Sequence, residues 1–548
     1  MKKILLVVLA VILVSGLILS GCGTPAPEPA PTPAPGPAPS PAPAPAPSPA
    51  PSPAPAPTPA PGPAPSPAAP KSGGIITGSR TSEPSKFGDP TTTRGSDSAF
   101  AVPIMEGLVF SDGKGGYGPE LAESFSLTPD KSAYIFKLRK GIKFHDGTDF
   151  NAQSVKWNMD RQLAYTSSRL PEIGSVDVID DYTVRLNLNT WNGLIMPQLQ
   201  TYSTMYSPTA FEANGQEWAE VNPVGTGAFK LKGHTRGISV DYERNDDYWG
   251  GAPYLDGIRI VFILDAVTGL AAALAEETQI QWQVTPDNAY TLDEDPRFTI
   301  YPSFNLETHL VFNTKDPSLP FYDKRVRYAL EYALDKDTMN EVFGRGYTKV
   351  LYDVMGKAPG HPGVPDRKYD PEKAKALLAE AGYPDGFKTG LIRHQAYNQD
   401  VCVAMQGYYA DVGIDMSIEV NTRATFQAWR FVGHPTKITW QPMTDQLDPL
   451  YAIVRAFGRG VPGDGDDSYV ARPPGFVDLI EQAKTTRDHA KMSALLLEAA
   501  TIAYEDAMMV PFWTRPGVSA VNTARVQDFV MQVSGTNTWD ASKAWIKE

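Results

Sequence analysis

Alternation of apolar and polar residues predicts strands in two stretches of the chain. Residues 134–139 read Tyr-Ile-Phe-Lys-Leu-Arg, and residues 182–188 read Tyr-Thr-Val-Arg-Leu-Asn-Leu. Because successive side chains of a strand point to opposite faces, each stretch gathers most of its apolar side chains on one face and predicts a half-buried strand. Residues 258–263 are more continuously apolar and predict a further strand.

Helical periodicity marks three other segments. Asp370, Pro371 and Glu372 supply an N-cap, a proline for the first turn and an early acid, and Gly382 follows the last apolar position, which predicts a helix between them. A second apolar stripe follows Asp323, and a long helical pattern covers roughly 475–507. Strands and helices interleave without a repeat or a second linker, which predicts a mixed α/β unit with packed, discontinuous domains.

The first 22 residues have the pattern of an exported protein. Lys2 and Lys3 precede an uncharged, mostly aliphatic run at 4–19, which is shorter than the about 20 residues of a membrane-spanning helix and typical of a signal peptide. The run ends in Leu-Ser-Gly-Cys, which resembles a bacterial lipobox. We therefore expect residues 1–21 to be a lipoprotein signal peptide and Cys22 to carry the membrane anchor. An ordinary signal peptide with a coincidental cysteine is the alternative.

A proline-rich segment follows the signal peptide. Residues 24–70 hold 23 of the 51 prolines in the chain, mostly alternating with alanine. Alternating proline prevents helix and ladder hydrogen bonds and favours polyproline II, which at full extension reaches about 140 Å here. We therefore interpret 22–70 as the lipidated cysteine and a tether that holds the remainder, 71–548, away from the membrane.

Charge and cysteine content exclude several classes of protein. The formal net charge of −13 argues against sequence-independent nucleic-acid binding, which needs a basic surface. Cys22 and Cys402 are the two cysteines, too few for a disulfide framework or a cysteine-rich metal site. We expect Cys402 to be a buried small hydrophobe. None of the seven histidines forms a metal-binding pair at i and i+4, and we expect neither a metal nor a cofactor.

The sequence contains no recognisable catalytic constellation. Phosphate-loop and HExxH motifs are absent, and the Gly-Thr-Gly-Ala-Phe stretch at 225–229 lacks the third glycine of a dinucleotide site, so we interpret it as a turn. Asp445 and Asp448 are close enough in sequence to suggest an acid–base pair, but spacing alone does not support one. Turn capping before Pro449 is the alternative. We therefore predict a protein that is not an enzyme.

Four longer motifs resemble the family 5 extracellular solute-binding proteins, the peptide/nickel-type receptors of ABC importers. They occupy 120–160, 223–257, 312–335 and 369–383, in the order of the family. The resemblance implies an α/β, two-lobed periplasmic-binding-protein-like fold of type II, cluster C, with an extra intermediate domain.

The resemblance also implies a division of the globular part into domains. Lobe I is expected to be discontinuous and to comprise 71–95, 215–304 and 511–548. The intermediate domain is expected at 96–214 and lobe II at 305–510, with the ligand in the cleft between the two lobes.

Two segments are implied to bind the ligand. The first is an extended piece after Asp89-Pro90 that includes Arg94, Gly95 and Ser96. In the second, Asp445 lies four residues before a proline and is expected to hold the ammonium group of the ligand, because a desolvated ammonium needs a charged acceptor.

The stretch just before Asp445 is implied to contact the backbone of a bound peptide. Residues 439–443, including Trp440, Gln441 and Met443, are expected to pair with the peptide as a strand would. Pro442 has no N–H and departs from a free strand edge. Arg423 is expected to receive a ligand carboxylate, and a solvated surface arginine is the alternative.

The sequence thus predicts an extracytoplasmic substrate-binding receptor of an ABC importer, located on the periplasmic or outer face of the cell membrane. It is expected to capture short peptides or similar amine-bearing solutes and to deliver them to permease subunits, as a monomer that binds no nucleic acid. A receptor of the same family for a metal chelate, haem, sugar or other solute is one alternative. A stalked structural or adhesion protein is another.

Overall fold

The computed structural model describes a large part of the chain beyond the proline-rich segment. The described residues are 69–93, 95–112, 116–164, 170–303, 307–353, 366–394, 397–422, 425–426, 429, 434–442, 448–457, 469–514, 517–531 and 539–547. The chain divides into two units, Met1–Pro67 and Ala68–Glu548. The predicted signal peptide, Cys22 and nearly all of the tether lie outside the described residues. No helix among the described residues is both long and apolar enough to cross a membrane.

Twenty-two strands are numbered here in chain order. They are β1 Ile75–Arg80, β2 Val109–Ser111, β3 Tyr117–Pro119, β4 Ala122–Leu127, β5 Ala133–Leu138, β6 Ile173–Asp180, β7 Thr183–Leu188, β8 Phe229–Thr235, β9 Ser239–Arg244, β10 Gly257–Phe262, β11 Ile280–Val284, β12 Phe298–Ser303, β13 Glu307–Val311, β14 Lys388–His394, β15 Asp415–Asn421, β16 Ile438–Pro442, β17 Val510–Thr514, β18 Gly517–Asn522, β19 Val526–Gln527, β20 Val530–Met531, β21 Trp539–Asp540 and β22 Trp545–Ile546.

Helices alternate with these strands. The α-helices among the described residues are α1 Ala152–Ala164, α2 Ile195–Tyr202, α3 Pro208–Ala219, α4 Ala266–Leu274, α5 Pro286–Asp293, α6 Lys324–Tyr332, α7 Lys336–Gly344, α8 Pro371–Glu380, α9 Gln399–Ala410, α10 Pro449–Phe457, α11 Phe476–Thr485 and α12 His489–Glu505. Two 3-10 helices occupy Gly95–Phe100 and Pro320–Tyr322.

A seven-stranded sheet brings together distant parts of the chain. Its order is β12-β18-β11-β1-β10-β9-β8, and the central strand β1 is parallel to both β10 and β11. A core that includes Ile76, Phe100, Trp282 and Trp539 packs against it. The sheet therefore depends on contacts between residues far apart in sequence.

A five-stranded sheet, in the order β15-β14-β16-β13-β17, has an apolar core on each face. Leu310 of β13 packs into a core with α6, α8 and α9, whereas its neighbour Val311 packs into a core with α10, α11 and α12. Adjacent residues of a strand point to opposite faces, so both faces of this sheet are covered.

The chain passes twice between these two sheets, at adjacent places. One passage leads from Ser303 of β12 to Glu307 of β13, and the other from Thr514 of β17 to Gly517 of β18. β12 pairs with β18 in one sheet, and β13 pairs with β17 in the other. The two large sheets are therefore joined through neighbouring strand ends.

A four-stranded antiparallel sheet, β4-β5-β7-β6, forms a separate core with α1 and α2. It contains the two strands predicted from alternation, at Ala133–Leu138 and Thr183–Leu188. Phe136, Val184 and Leu186 are fully buried in its core, as the alternation requires.

The helical predictions are confirmed in two places and corrected in one. The helix predicted after Asp370 is α8, whose N-cap carboxylate accepts from Lys373 N at 2.9 Å, and the stripe after Asp323 is α6. The pattern at 475–507 is two helices, α11 and α12. The chain is extended at Thr486, and Asp488 accepts from the backbone N–H of Lys491 to begin the second helix.

The glycines at 225 and 227 are structural, as the interpretation of a turn expects. A side chain at Gly225 would clash with the carbonyl oxygen of Ile104, so two backbone segments are in close contact here. His145 N donates to Gly225 O at 2.8 Å, and His145 Nε2 is 2.9 Å from Gly227 O. Burial lowers the pKa of His145 to about 4, which keeps the ring neutral.

Candidate functional site

The second predicted ligand segment contains a strand end that is paired on one side. β16 pairs with β13 along Thr439–Pro442, but β14 pairs with β16 only at Ile438 and Thr439. Beyond that point β14 continues its ladder with β15 through His394. Among the described residues, the end of β16 therefore has no strand partner on the side away from β13.

Trp440 is part of the core rather than an exposed contact. Its side chain is buried, and its ring centroid lies 4.6 Å from that of Tyr397 and 5.5 Å from that of Phe512. Among the described residues no hydrogen-bond acceptor reaches its Nε1. The aromatic packing positions the β16 backbone and leaves no exposed face of the Trp440 ring.

Gln441 points to the opposite face of the sheet, into a polar cluster that sequence reasoning missed. Its Nε2 donates to Tyr469 Oη, and the residue lies directly across from His309 of β13. His309 is fully buried, and its Nε2 is 3.6 Å from a carboxylate oxygen of Glu307. Alternation along β13 could have placed His309 on one face with Glu307, but its position across from Gln441 depends on the pairing of β13 with β16.

The first predicted segment differs from the expectation of an extended piece. The backbone of Gly95 and Ser96 begins a 3-10 helix that runs to Phe100. The buried carboxylate of Asp97 accepts from Ser85 N at 2.9 Å and from Ser85 Oγ at 2.7 Å, which ties this turn to the loop before it. Side chain-to-backbone bonds of this kind compete with extended structure.

Asp89, which precedes this segment, is a structural residue. Arg161 binds its carboxylate with both terminal nitrogens, at 3.2 and 2.7 Å, and Gln216 and Thr91 donate to it as well. Burial alone would raise the pKa of Asp89, but the bonds from Arg161 and Thr91 hold it below its ordinary value. The ionised carboxylate joins the segment after β1 to α1 and α3.

Asp448 caps a helix. This is the role that was expected from the sequence as the alternative to an acid–base pair with Asp445. Its Oδ1 accepts from Tyr451 N at 3.0 Å at the start of α10. Burial raises the pKa of this carboxyl group. The other predicted site residues, Arg94, Arg423, Met443 and Asp445, lie outside the described residues and stay predictions.

One further charged residue lies beside the first segment and was not predicted. Arg80 ends β1 and is only 1% exposed. The central carbon of its guanidinium is 4.9 Å from the ring centroids of both Phe100 and Trp282. Burial lowers its pKa to about 10, so the group is still charged at neutral pH.

Cys402 agrees with its prediction as a buried hydrophobe. The side chain is fully buried in the core around α9, and burial raises the pKa of its thiol to about 12. No cluster of three or more potential metal ligands occurs within the described ranges.

Comparison with known proteins gives consistent matches over most of the chain. The family model described as bacterial extracellular solute-binding proteins, family 5 Middle, matches residues 116–461. The glutathione-binding protein GsiB of Pectobacterium atrosepticum is 29% identical over 435 residues, which covers 75% of this chain and 82% of that protein. Heme-binding protein A of Haemophilus influenzae is 31% identical over 318 residues, covering 51% of this chain and 56% of that protein.

A solved structure agrees with the fold. The ABC transporter-associated periplasmic binding protein DppA from Helicobacter pylori, in complex with the peptide STSA, superposes with a TM-score of 0.74 at 25% identity and covers 87% of this chain and 99% of that chain. The predicted two-lobed α/β fold class is confirmed. The chain belongs to the bacterial extracellular solute-binding proteins of family 5, and it functions outside the cytoplasm as a substrate-binding receptor of an ABC importer.

Proposed function

We propose that this receptor captures short peptides or similar amine-bearing solutes and delivers them to its permease. The observation that carries the proposal is the end of β16, which has a strand partner on one side only among the described residues. A peptide that adds to such an edge is held through its main chain, so many side-chain sequences are accepted.

The similar proteins support a peptide ligand. The name of the Pectobacterium relative refers to glutathione, a tripeptide, and the Helicobacter protein was solved with the peptide STSA. A receptor for haem is the second candidate, because the Haemophilus relative is named for heme binding. The peptide proposal is favoured because the match to the glutathione-binding relative extends over 75% of this chain.

We further propose how the site is assembled. The cleft lies between lobe I, at 71–95, 215–304 and 511–548, and lobe II, at 305–510, with the intermediate domain at 96–214 beside them. Asp445 holds the ligand ammonium, and the segment at Arg94, Gly95 and Ser96 contacts the ligand from the other side. Gln441 and Met443 present backbone groups, and Arg423 is a candidate partner for a ligand carboxylate.

The proposal also covers the membrane anchor, the tether and the partners of the protein. Cys22 carries a lipid that anchors the chain, the proline-rich segment at 22–70 acts as the tether, and the receptor is a monomer without catalytic activity. It works with membrane permease subunits and binds no nucleic acid.

A ligand screen by thermal unfolding tests the proposed ligand class. Ligand that binds only the folded state stabilises it by RT ln(1 + [L]/Kd), about 2.7 kcal/mol at a hundredfold excess over Kd. We expect the STSA peptide, glutathione or other di- to pentapeptides to raise the midpoint of unfolding. A rise with haem, a metal chelate or a sugar, and none with any peptide, would transfer the proposal to that solute.

A further inference from the structure

Arg80 occupies the position in the seven-stranded sheet where ligands of such sheets are bound. β1 is the central strand, parallel to β10 and β11, and Arg80 is its last residue. In open α/β sheets, ligands lie outside the carboxyl ends of the parallel strands. Arg80 is therefore at the ligand-binding end of the sheet and next to the predicted ligand segment, whose 3-10 helix ends at Phe100.

The neighbours of Arg80 form a specific enclosure for its side chain. Gly78 has no side chain, and a Cβ there would collide with the indole of Trp282, so the glycine makes room for this ring beside Arg80. Phe100 contributes the other aromatic ring. The two rings stabilise a cation through their faces, but they offer no hydrogen-bond acceptor to the five guanidinium N–H groups.

The enclosure contains donors without acceptors. Nε, Nη1 and Nη2 of Arg80 are all buried and lack a hydrogen-bond partner in the part of the chain that the structure describes, and so does Nε1 of Trp282. The hydroxyl of Tyr242, on the neighbouring part of the sheet, donates to Phe100 O at 2.9 Å. A buried charge without a partner is strongly destabilising, whereas a carboxylate can satisfy a guanidinium with two parallel hydrogen bonds.

We propose that Arg80 binds a carboxylate group of the transported solute. This inference rests on the proposed function and narrows it to solutes that carry a carboxylate as well as an amine, such as peptides with a free C-terminus. The guanidinium is shielded from solvent, so the carboxylate has to enter the enclosure, and the side of Phe100 is the one formed by the 3-10 helix of the predicted ligand segment. The resulting ion pair is then desolvated, which makes it strong and selective.

Arg80→Met is the main test, because methionine retains apolar volume and removes the charge. We expect the wild type to bind the STSA peptide at least thirtyfold more tightly than the same peptide with an amidated C-terminus, and Arg80→Met to lose most of this preference. Arg259→Met is the matched control. Arg259 lies on the neighbouring strand β10, is 48% exposed and pairs with Asp241 at 3.4 Å, so its loss should leave both affinities within about threefold.

A second arm uses acetate and needs no peptide. At constant ionic strength, acetate should raise the unfolding midpoint of the wild type and of Arg259→Met but not that of Arg80→Met. If Arg80→Met does not fold, Arg80→Lys replaces it and should lose most of the preference for the free carboxylate, since lysine cannot form the paired hydrogen bonds.

The two arms distinguish failure of this inference from failure of the proposed function. If no peptide binds the wild type and acetate still stabilises it through Arg80, the peptide proposal is wrong and the anion site stands. Equal affinity of the wild type for free and amidated peptide overturns the inference. So does an acetate effect that is the same in the wild type and in Arg80→Met.

Discussion

Two buried charged residues near β1 have opposite environments. Asp89 accepts hydrogen bonds from Arg161, Gln216 and Thr91, so its charge is compensated within the protein. Arg80 has aromatic rings around it and no acceptor among the described residues. A buried charge is tolerated when the protein supplies its partners, and an uncompensated one is stabilised when a ligand supplies the opposite charge. Because of this difference we assign a structural role to Asp89 and propose a binding role for Arg80.

Asp445→Asn should weaken binding of an unmodified peptide by roughly thirtyfold to several thousandfold. Removal of one partner of a buried charge pair costs about 2–5 kcal/mol, at 1.4 kcal/mol per tenfold in Kd. Isothermal titration with the STSA peptide measures the loss. Asp448→Asn is the matched control, because Asp448 caps α10 and asparagine caps a helix about as well. We expect it to change Kd by less than about threefold.

N-acetylation of the peptide tests the same contact from the side of the ligand. The wild type should lose affinity for the acetylated peptide, whereas Asp445→Asn should bind the two peptides alike, since the carboxylate is already absent. If acetylation weakens both proteins equally, another residue holds the ammonium and Asp445 is not its partner.

At the scale of elements, the turn at 144–147 shows how a family motif can be structural. Phe144 N donates to Thr148 O at 2.8 Å, and Gly147 has a φ of +86°, which glycine adopts without strain. His145 at its centre bonds to the backbone of Gly225 and Gly227, so the turn holds two distant segments together. The motif therefore maintains the fold.

Acid should weaken the contact between the turn at 144–147 and the backbone of Gly225 and Gly227, because it protonates His145. Its Nε2 donates to Gly227 O, and its buried Nδ1 has no partner among the described residues, so protonation of Nδ1 creates an unpaired buried charge. The pKa of about 4 in the folded state is below the value of about 6.5 in an unfolded chain, so the unfolded state binds more protons between these values. Stability is present above pH 6.5 and is lost as the pH falls towards 4.

Denaturant unfolding of the wild type and of His145→Gln at pH 7 and pH 4.5 measures this effect. The wild type should lose roughly 1–3 kcal/mol more than the variant on acidification, because the variant has no proton to bind at this position. His489→Gln, an exposed position at the start of α12, is the control and should behave as the wild type does. An identical loss in His145→Gln and the wild type would contradict the assignment.

At the scale of the whole molecule, the two large sheets are built from neighbouring strand pairs, β12 with β18 in one sheet and β13 with β17 in the other. We propose that the two sheets change their relative orientation on ligand binding while each sheet keeps its own hydrogen bonds. A ligand that contacts both sides favours the closed arrangement, because it binds that state better. The proposed contacts at Arg80 and at β16 belong to the two different sheets, as such a mechanism requires.

Cys22→Ala should release the protein from the membrane fraction. The proposed anchor is a lipid on Cys22, and the acidic chain, with a net charge of −13, has no electrostatic attraction to an anionic membrane. Fractionation followed by immunoblotting measures the release, after uncleaved precursor has been separated by size. Continued sedimentation of the processed variant with membranes would show that another feature anchors the chain.

Local features and long family motifs were readable from the sequence. The N-caps Asp370 and Asp323 predicted α8 and α6, because capping depends on a few neighbouring residues. Alternation predicted β5 and β7, because the core of a half-buried strand lies on one face. The break between α11 and α12 was missed, because the apolar pattern continues across it while the Asp488 cap starts a new helix.

The sequence by itself determined the class of the protein, since four ordered motifs specify one family and the family specifies one fold. Only the tertiary structure decided which residues of β16 are paired and on which side, and that the segment at Gly95–Phe100 is a 3-10 helix. It also brought Phe100 and Trp282 around Arg80, although Trp282 is 202 residues away along the chain. The physical reason is that burial and partnering are set by packing between distant segments, which the local period of a sequence does not encode.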